Sequence, residues 1–165
     1  MTHILGLNAY HGDSSAAVLS SGQLAAAVEE ERYNRIKHWA GMPALAAKGC
    51  LEMAGAGQVA HLAVSRNPGA HLVRKILRAS TRPSSWRRAA GRAANSIEIT
   101  KIREKLMAAG VPGLENARLH LVEHHRAHLA SAFFASPFEE AAVLSVDGFG
   151  DFSSVMWGTG RGNRR

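Results

Sequence analysis

Cysteine is almost absent: Cys50 stands alone in 165 residues. One thiol cannot form an intramolecular disulfide framework or a cysteine-rich zinc knuckle, and a reducing, cytoplasmic setting is expected. Cys50 falls in an apolar stretch with no base beside it, so it reads as a small buried residue rather than a nucleophile. Long apolar runs are missing too. No stretch approaches the ~20 apolar residues of a membrane span, and Met1–Leu7 gives way at once to Asn8, His11 and Asp13, so no secretory leader is expected here. Low-complexity tracts and short-period repeats are also lacking.

What is present is ordinary for one globular domain with a real core: 46% hydrophobic and 20% charged residues. The net charge of +7 is unevenly placed. Eleven Lys or Arg and only two acids, Glu98 and Glu104, lie between Arg66 and Lys105, and the rest of the chain is slightly acidic. Such a segment, with Trp86 inside it, could track a phosphate backbone. A solvated helical face is the commoner reason for a charge run, and an anionic substrate or a partner domain competes equally. Nucleic acid is therefore not the expected partner, nor is a membrane.

Apolar runs at Ile4–Leu7, Ala16–Leu19 and Leu24–Val28 predict a three-stranded meander, with Ser20-Ser21-Gly22-Gln23 as a turn and a polar loop between the first two strands. Met42-Pro43 opens a helix over Ala44–Ala54 that stops at Gly55 or Gly57. Val59–Ser65 is a fourth strand, ended by Arg66-Asn67-Pro68-Gly69. His71–Ala79 and Ile97–Ala109 read as helices, Arg118–Val122 as a fifth strand, and Glu123–Ala135 as a helix broken by Ser136-Pro137. Ala141–Val146 is another strand, Asp147–Asp151 a tight polar loop, and Ser153–Gly158 the strand that returns.

His124 and His128 lie four apart on the predicted helix, hence on one face. Asp147, at the end of the next apolar run, can complete a metal site with them. Two imidazoles and a carboxylate suit zinc or iron and leave room for a substrate oxygen. Spacing alone also fits solvated histidines in a chain that has nine. His125 lies roughly 100° around the helix and should point elsewhere, at best a candidate to support the ligands or to face substrate. The loops Asn8–Ser15 and Asp147–Asp151 each pair glycine with aspartate at a strand end. That is the sequence form of a phosphate-handling cleft, where glycine lets the backbone approach and N–H groups hold anionic oxygens. Asn8, Gly12, Ser14, Gly148 and Gly150 are the substrate- or phosphate-binding candidates. His11 beside Asp13 could act as general base at neutral pH, or be a surface loop residue.

Three stretches carry a family resemblance. They are Ile-Leu-Gly-Leu-Asn-Ala-Tyr-His-Gly-Asp-Ser-Ser-Ala-Ala-Val-Leu with Val-Glu-Glu-Glu-Arg-Tyr-Asn-Arg-Ile-Lys, then Glu-His-His-Arg-Ala-His-Leu-Ala-Ser-Ala-Phe-Phe-Ala-Ser-Pro-Phe, then Ala-Val-Leu-Ser-Val-Asp-Gly-Phe-Gly-Asp-Phe-Ser-Ser. In order and spacing they resemble the N-terminal part of the NodU/CmcH-type O-carbamoyltransferases. The resemblance implies an α/β fold: the first lobe of an actin/hexokinase/Hsp70-like (ribonuclease H-like) domain, as in the TsaD-like tRNA-modifying enzymes, with a mixed sheet and flanking helices. Residues 1–140 would form that lobe, with 66–113 a basic helical insertion, and 141–165 would begin a second lobe. The family takes a carbamoyl group from carbamoyl phosphate, activates it with ATP as carbamoyl-adenylate in a YrdC-like domain, and passes it to a small-molecule hydroxyl, often in natural product biosynthesis. Carried over residue by residue, His124, His128 and Asp147 are the ligands of a divalent metal, iron in some members, while His11 or Asp13 deprotonates the acceptor.

Members of this family run to several hundred residues, so the chain is expected to be truncated, a fragment, or half of a split enzyme. A complementary lobe or YrdC-like domain on another chain is then the expected partner, and turnover alone is not expected. Exposed apolar surface and an unpaired strand edge should follow. Two other readings compete: a TsaD-like tRNA threonylcarbamoyl-transfer protein, favoured by the basic segment, and a non-catalytic binding module using that segment.

Overall fold

The structure is a computed structural model, and it describes residues 1–71, 73, 98–151 and 153–162. Alternation of apolar and polar residues sets the first sheet. In β1 (His3–Asn8), Leu5 and Leu7 are buried, and their register partners are Val18 and Ala16 of β2 (Ser15–Ser20) and Leu62 and Val64 of β4 (His61–Val64). Partners in register share a face, so one side of the sheet is continuously apolar. β3 (Gln23–Glu29) pairs antiparallel with β2, and β5 (Arg118–Leu121) pairs parallel with β4. The strand order is β3-β2-β1-β4-β5.

Two helices contribute the other half of this core. α2 (Ala44–Met53) buries Ala46, Ala47, Cys50 and Leu51, and α3 (Ile102–Ala108) buries Ile102 and Leu106. Cys50 is the small buried residue expected, its thiol 3.3 Å from the Ala16 carbonyl. The buried carboxylate of Glu30 accepts N–H bonds from Leu45 and Ala46 at 3.2 and 2.7 Å, satisfying the free donors at the start of α2.

The fold is the expected mixed α/β sheet with flanking helices, and three local readings change. The acidic run after β3 is followed by a one-turn helix, α1 (Glu31–Asn34), stopped by left-handed Arg35 at φ 61°. The helix expected at Ile97–Ala109 is interrupted by a turn at Lys101, with α3 beginning at Ile102. Most of the helix expected at His71–Ala79, and most of the basic insertion, lie outside the described residues. Asp147–Asp151 is not a tight loop. β6 (Glu140–Gly150) continues through it, with its register against β7 (Ser153–Arg161) shifting between Val146 and Gly150, and the chain turns at Asp151, φ 45°.

β6 and β7 form a separate two-stranded sheet on which α4 (His124–Phe134) packs, Phe133 lying against Gly160. Across the hairpin, Leu144 faces Trp157 and Val146 faces Val155. All four are exposed, Leu144 by 65% and Trp157 by 78%. Among the described residues each of these strands pairs only with the other. No helix among them is long and apolar enough to cross a membrane.

Candidate metal centre

Glu123, extended at φ −59° and ψ 137°, brings the chain out of β5 into α4, so His124 is the first helical residue and His128 sits one turn on. Their Nε2 atoms stand 3.1 Å apart. Asp147 reaches in from β6, its Oδ2 2.7 Å from His124 Nε2 and 3.8 Å from His128 Nε2. A metal held by bonds of roughly 2.0–2.2 Å in tetrahedral array spaces its ligand atoms by about 3.3 Å. The three donors therefore converge near ligand spacing, with the 2.7 Å separation having to open and the 3.8 Å one to close. His124 is buried, His128 is exposed and Asp147 is partly exposed, which leaves one side accessible for a further ligand.

The electrostatics favour the ligating ionisation states. A hydrogen bond from His124 and the Gly148 N–H hold the Asp147 carboxyl below the usual carboxylate range. Partial burial, then the neighbouring His124, push His128 below the usual histidine range. An ionised carboxylate and a neutral imidazole are the forms that bind metal.

His125 points away from the ligands, as its place on the helix predicts, and is fully buried. Its Nε2–H donates to the Ser153 carbonyl at 3.0 Å, and its Nδ1 lies 2.8 Å from Ser145 Oγ. A carbonyl only accepts, so Nε2 carries a proton, and a ring protonated there alone takes the Ser145 hydroxyl at Nδ1. Asp151 has a role that the sequence did not reveal. Its Oδ2 accepts the backbone N–H of His124 at 2.9 Å and of Asn67 at 2.8 Å. Aspartate tolerating a left-handed turn was a legible signal, but its reach across 84 residues to Asn67 was not.

The first loop meets this centre through His11, whose ring centroid lies 5.2 Å from that of His124. Asp13 is engaged elsewhere, its Oδ1 accepting from His38 Nδ1 at 2.8 Å on an exposed face. Asp13 and His38 both adopt left-handed backbone, at φ 58° and 55°. Asn8 shapes the loop, donating to the carbonyls of Gly12 and Asp13 at 3.2 and 3.1 Å. The Ser14 hydroxyl is buried and bonded to the Gly41 carbonyl at 2.8 Å. Gly12 and Gly148 have open space where a side chain would stand, and Gly150 closes β6.

This geometry can be set beside known proteins. The family model for the carbamoyltransferase N-terminus matches residues 3–58 and 81–165. The chain belongs to the carbamoyltransferase N-terminal family. Among curated relatives, it is 34% identical over 179 residues to the uncharacterized protein sll1178 of Synechocystis sp., covering 99% of this chain and 28% of that protein. It is 32% identical over 166 residues to the nodulation protein NolNO of Sinorhizobium fredii, covering 94% of this chain and 22% of that protein. The chain thus spans about a quarter of the length of these relatives. Both stretches matched to the carbamoyltransferase N-terminus bear on the site. The first carries Asn8, His11, Gly12, Asp13, Ser14 and His38, and the second carries His124, His125, His128, Asp147 and Asp151.

Proposed function

We propose that this chain is the metal-binding first lobe of an O-carbamoyltransferase that moves a carbamoyl group from carbamoyl phosphate, through an ATP-derived carbamoyl-adenylate, to a hydroxyl of a small-molecule acceptor. The observation that carries the reading is the convergence of His124, His128 and Asp147 in a chain of the carbamoyltransferase N-terminal family. The sheet order β3-β2-β1-β4-β5, with β2 alone antiparallel to its neighbours, supports an actin/Hsp70-like, ribonuclease H-like lobe.

A divalent iron or zinc bound by the three ligands supplies Lewis-acid polarisation of a carbonyl or phosphoryl oxygen. The remaining work falls to side chains of the first loop. His11, beside His124, accepts the proton of the acceptor hydroxyl at a ring nitrogen. Asp13 was a candidate for the same task, and its bond to His38 favours His11 over it. The open backbone at Gly12 and Gly148 offers approach to anionic oxygens. Adenylate formation is assigned to a YrdC-like domain outside these 165 residues, on the same or another chain, so the chain alone should not turn over.

Two measurements test the reading. Purified chain should hold iron or zinc near one equivalent, and His124→Ala should lose it. Supplied with a YrdC-like domain, the remaining lobe, ATP and labelled carbamoyl phosphate, the chain should label hydroxylated small molecules, and His11→Asn should stop labelling while adenylate still forms. Labelling that survives both substitutions would sink the proposal.

A further inference from the structure

Asp147 sits where ordinary strand pairing gives out. β6 and β7 keep register up to the pair Val146 and Val155, and regain it only at Gly150 and Ser153. The segment that carries the carboxylate lies within that register shift, yet its Oδ2 stands 2.7 Å from His124 Nε2. Regular strand register alone does not set that reach.

Two residues bracket the irregular segment. Before it, Ser145 is bonded to His125 Nδ1, and after it the Ser153 carbonyl is bonded to His125 Nε2, so one buried ring from α4 holds both strands of the hairpin. At the tip, the Asp151 carboxylate takes the first helical N–H of α4, that of His124 itself, and the Asn67 N–H in the loop after β4. Free N–H groups at a helix start and a carboxylate make a strong pairing. The same oxygen thereby ties the hairpin, the ligand helix and the first sheet together.

Resting on the metal-centre reading above, we propose that His125 and Asp151 are positioning residues of that centre: they lock the β6–β7 hairpin onto α4 and so fix the distance from Asp147 to the paired histidines. Neither is a ligand. Outer-shell residues of this kind commonly alter metal affinity by about 10–100-fold when removed.

The test is a cobalt(II) titration of this chain, read by affinity and by the visible absorption bands, whose intensity reports coordination geometry. Far-UV circular dichroism checks that each variant is folded. His125→Ala and Asp151→Ala should each weaken cobalt binding by about 10–100-fold and change the bands. Asp151→Asn keeps an oxygen that can accept both N–H groups, so it should bind and absorb nearly as wild type. In metal-free chain, hydrogen exchange at the His124 amide should accelerate in Asp151→Ala and not in Asp151→Asn. Wild-type affinity and bands in both alanine variants overturn the proposal, as does an Asp151→Asn variant as weak as Asp151→Ala. If His125→Ala does not fold, the two Asp151 variants decide alone. Asp147→Ala separates the two readings. If it binds as tightly as wild type, or if wild type binds no cobalt, the metal centre itself is wrong and this inference falls with it.

Discussion

The two halves of the described structure are held by different forces. The five-stranded sheet with α2 and α3 rests on a buried apolar cluster that includes Leu5, Leu62, Ile102 and Leu106. The α4–hairpin unit has little of that. Among the described residues Phe133 is its one buried large apolar side chain, while Leu144, Val146, Val155 and Trp157 stand exposed. Polar bonds replace burial there, through His125, Asp151 and the His124–Asp147 contact. The first region folds for the reasons any domain folds. The second is ordered by the same groups that make it a site, so its order should respond to ligands.

The sharpest way to break this contrast is to empty the first core. Leu62→Ala should cost about 2–5 kcal/mol, by lost transfer energy plus the cavity left behind. Trp157→Ala, on the exposed hairpin face, should fall within about 0.5 kcal/mol. Urea unfolding of the two variants measures both. Equal losses would mean that the hairpin is packed more tightly than its exposure indicates.

Metal should act on the other half. A ligand that binds only the folded site stabilises by about 2.7 kcal/mol at a hundredfold excess over its Kd. Hydrogen exchange with zinc or with a chelator should show that gain at α4 and β6–β7, with little change at β1 and β4. Uniform protection across both regions would erase the distinction. His125→Ala should be of similar or smaller size. It strands the Ser145 hydroxyl and the Ser153 carbonyl, at about 1–3 kcal/mol for buried groups left unpaired, and the loss should again appear in hairpin exchange rates before it appears in the sheet.

The same division explains what could be read from the sequence. β1, β2 and β4 were legible because alternation of the Leu5/Leu7 and Leu62/Val64 kind is local and is imposed by a buried face. His124 and His128 were legible because helical periodicity is local too. The Asp147–Asp151 stretch was misread. Asp-Gly-x-Gly looks like a turn, but here the strand runs on and shifts register instead. α1 was missed because it is a single turn between Glu30, bonded to α2, and left-handed Arg35. The partners of His125, Asp13 and Asp151 were invisible because each lies 20 or more residues away, where no periodicity links the two ends.

The smallest effect tests the outermost contact of the first region. The hydrogen bond from His38 to Asp13, then the attraction of that carboxylate, raise His38 above its ordinary value of about 6.5. A raised folded-state value means that the pair contributes stability below the unfolded pKa, and that this contribution disappears as pH climbs through the folded one. His38 is 82% exposed, so solvent screens the pair and the melting temperature should barely follow pH through that window. The titration itself is measurable. By NMR, the His38 ring should titrate above its ordinary value, and Asp13→Asn should lower it toward that value. His38 and Asp13 both hold left-handed backbone, which is unfavourable for residues with a Cβ. A screened surface pair offsets little of that cost, so the bonds from Ser14 and Tyr10 to the carbonyls of Trp39 and Gly41 must hold the two segments together. If Asp13→Asn instead loosened those amides in hydrogen exchange, the pair would be holding the loop, and the first region too would depend on a polar pin.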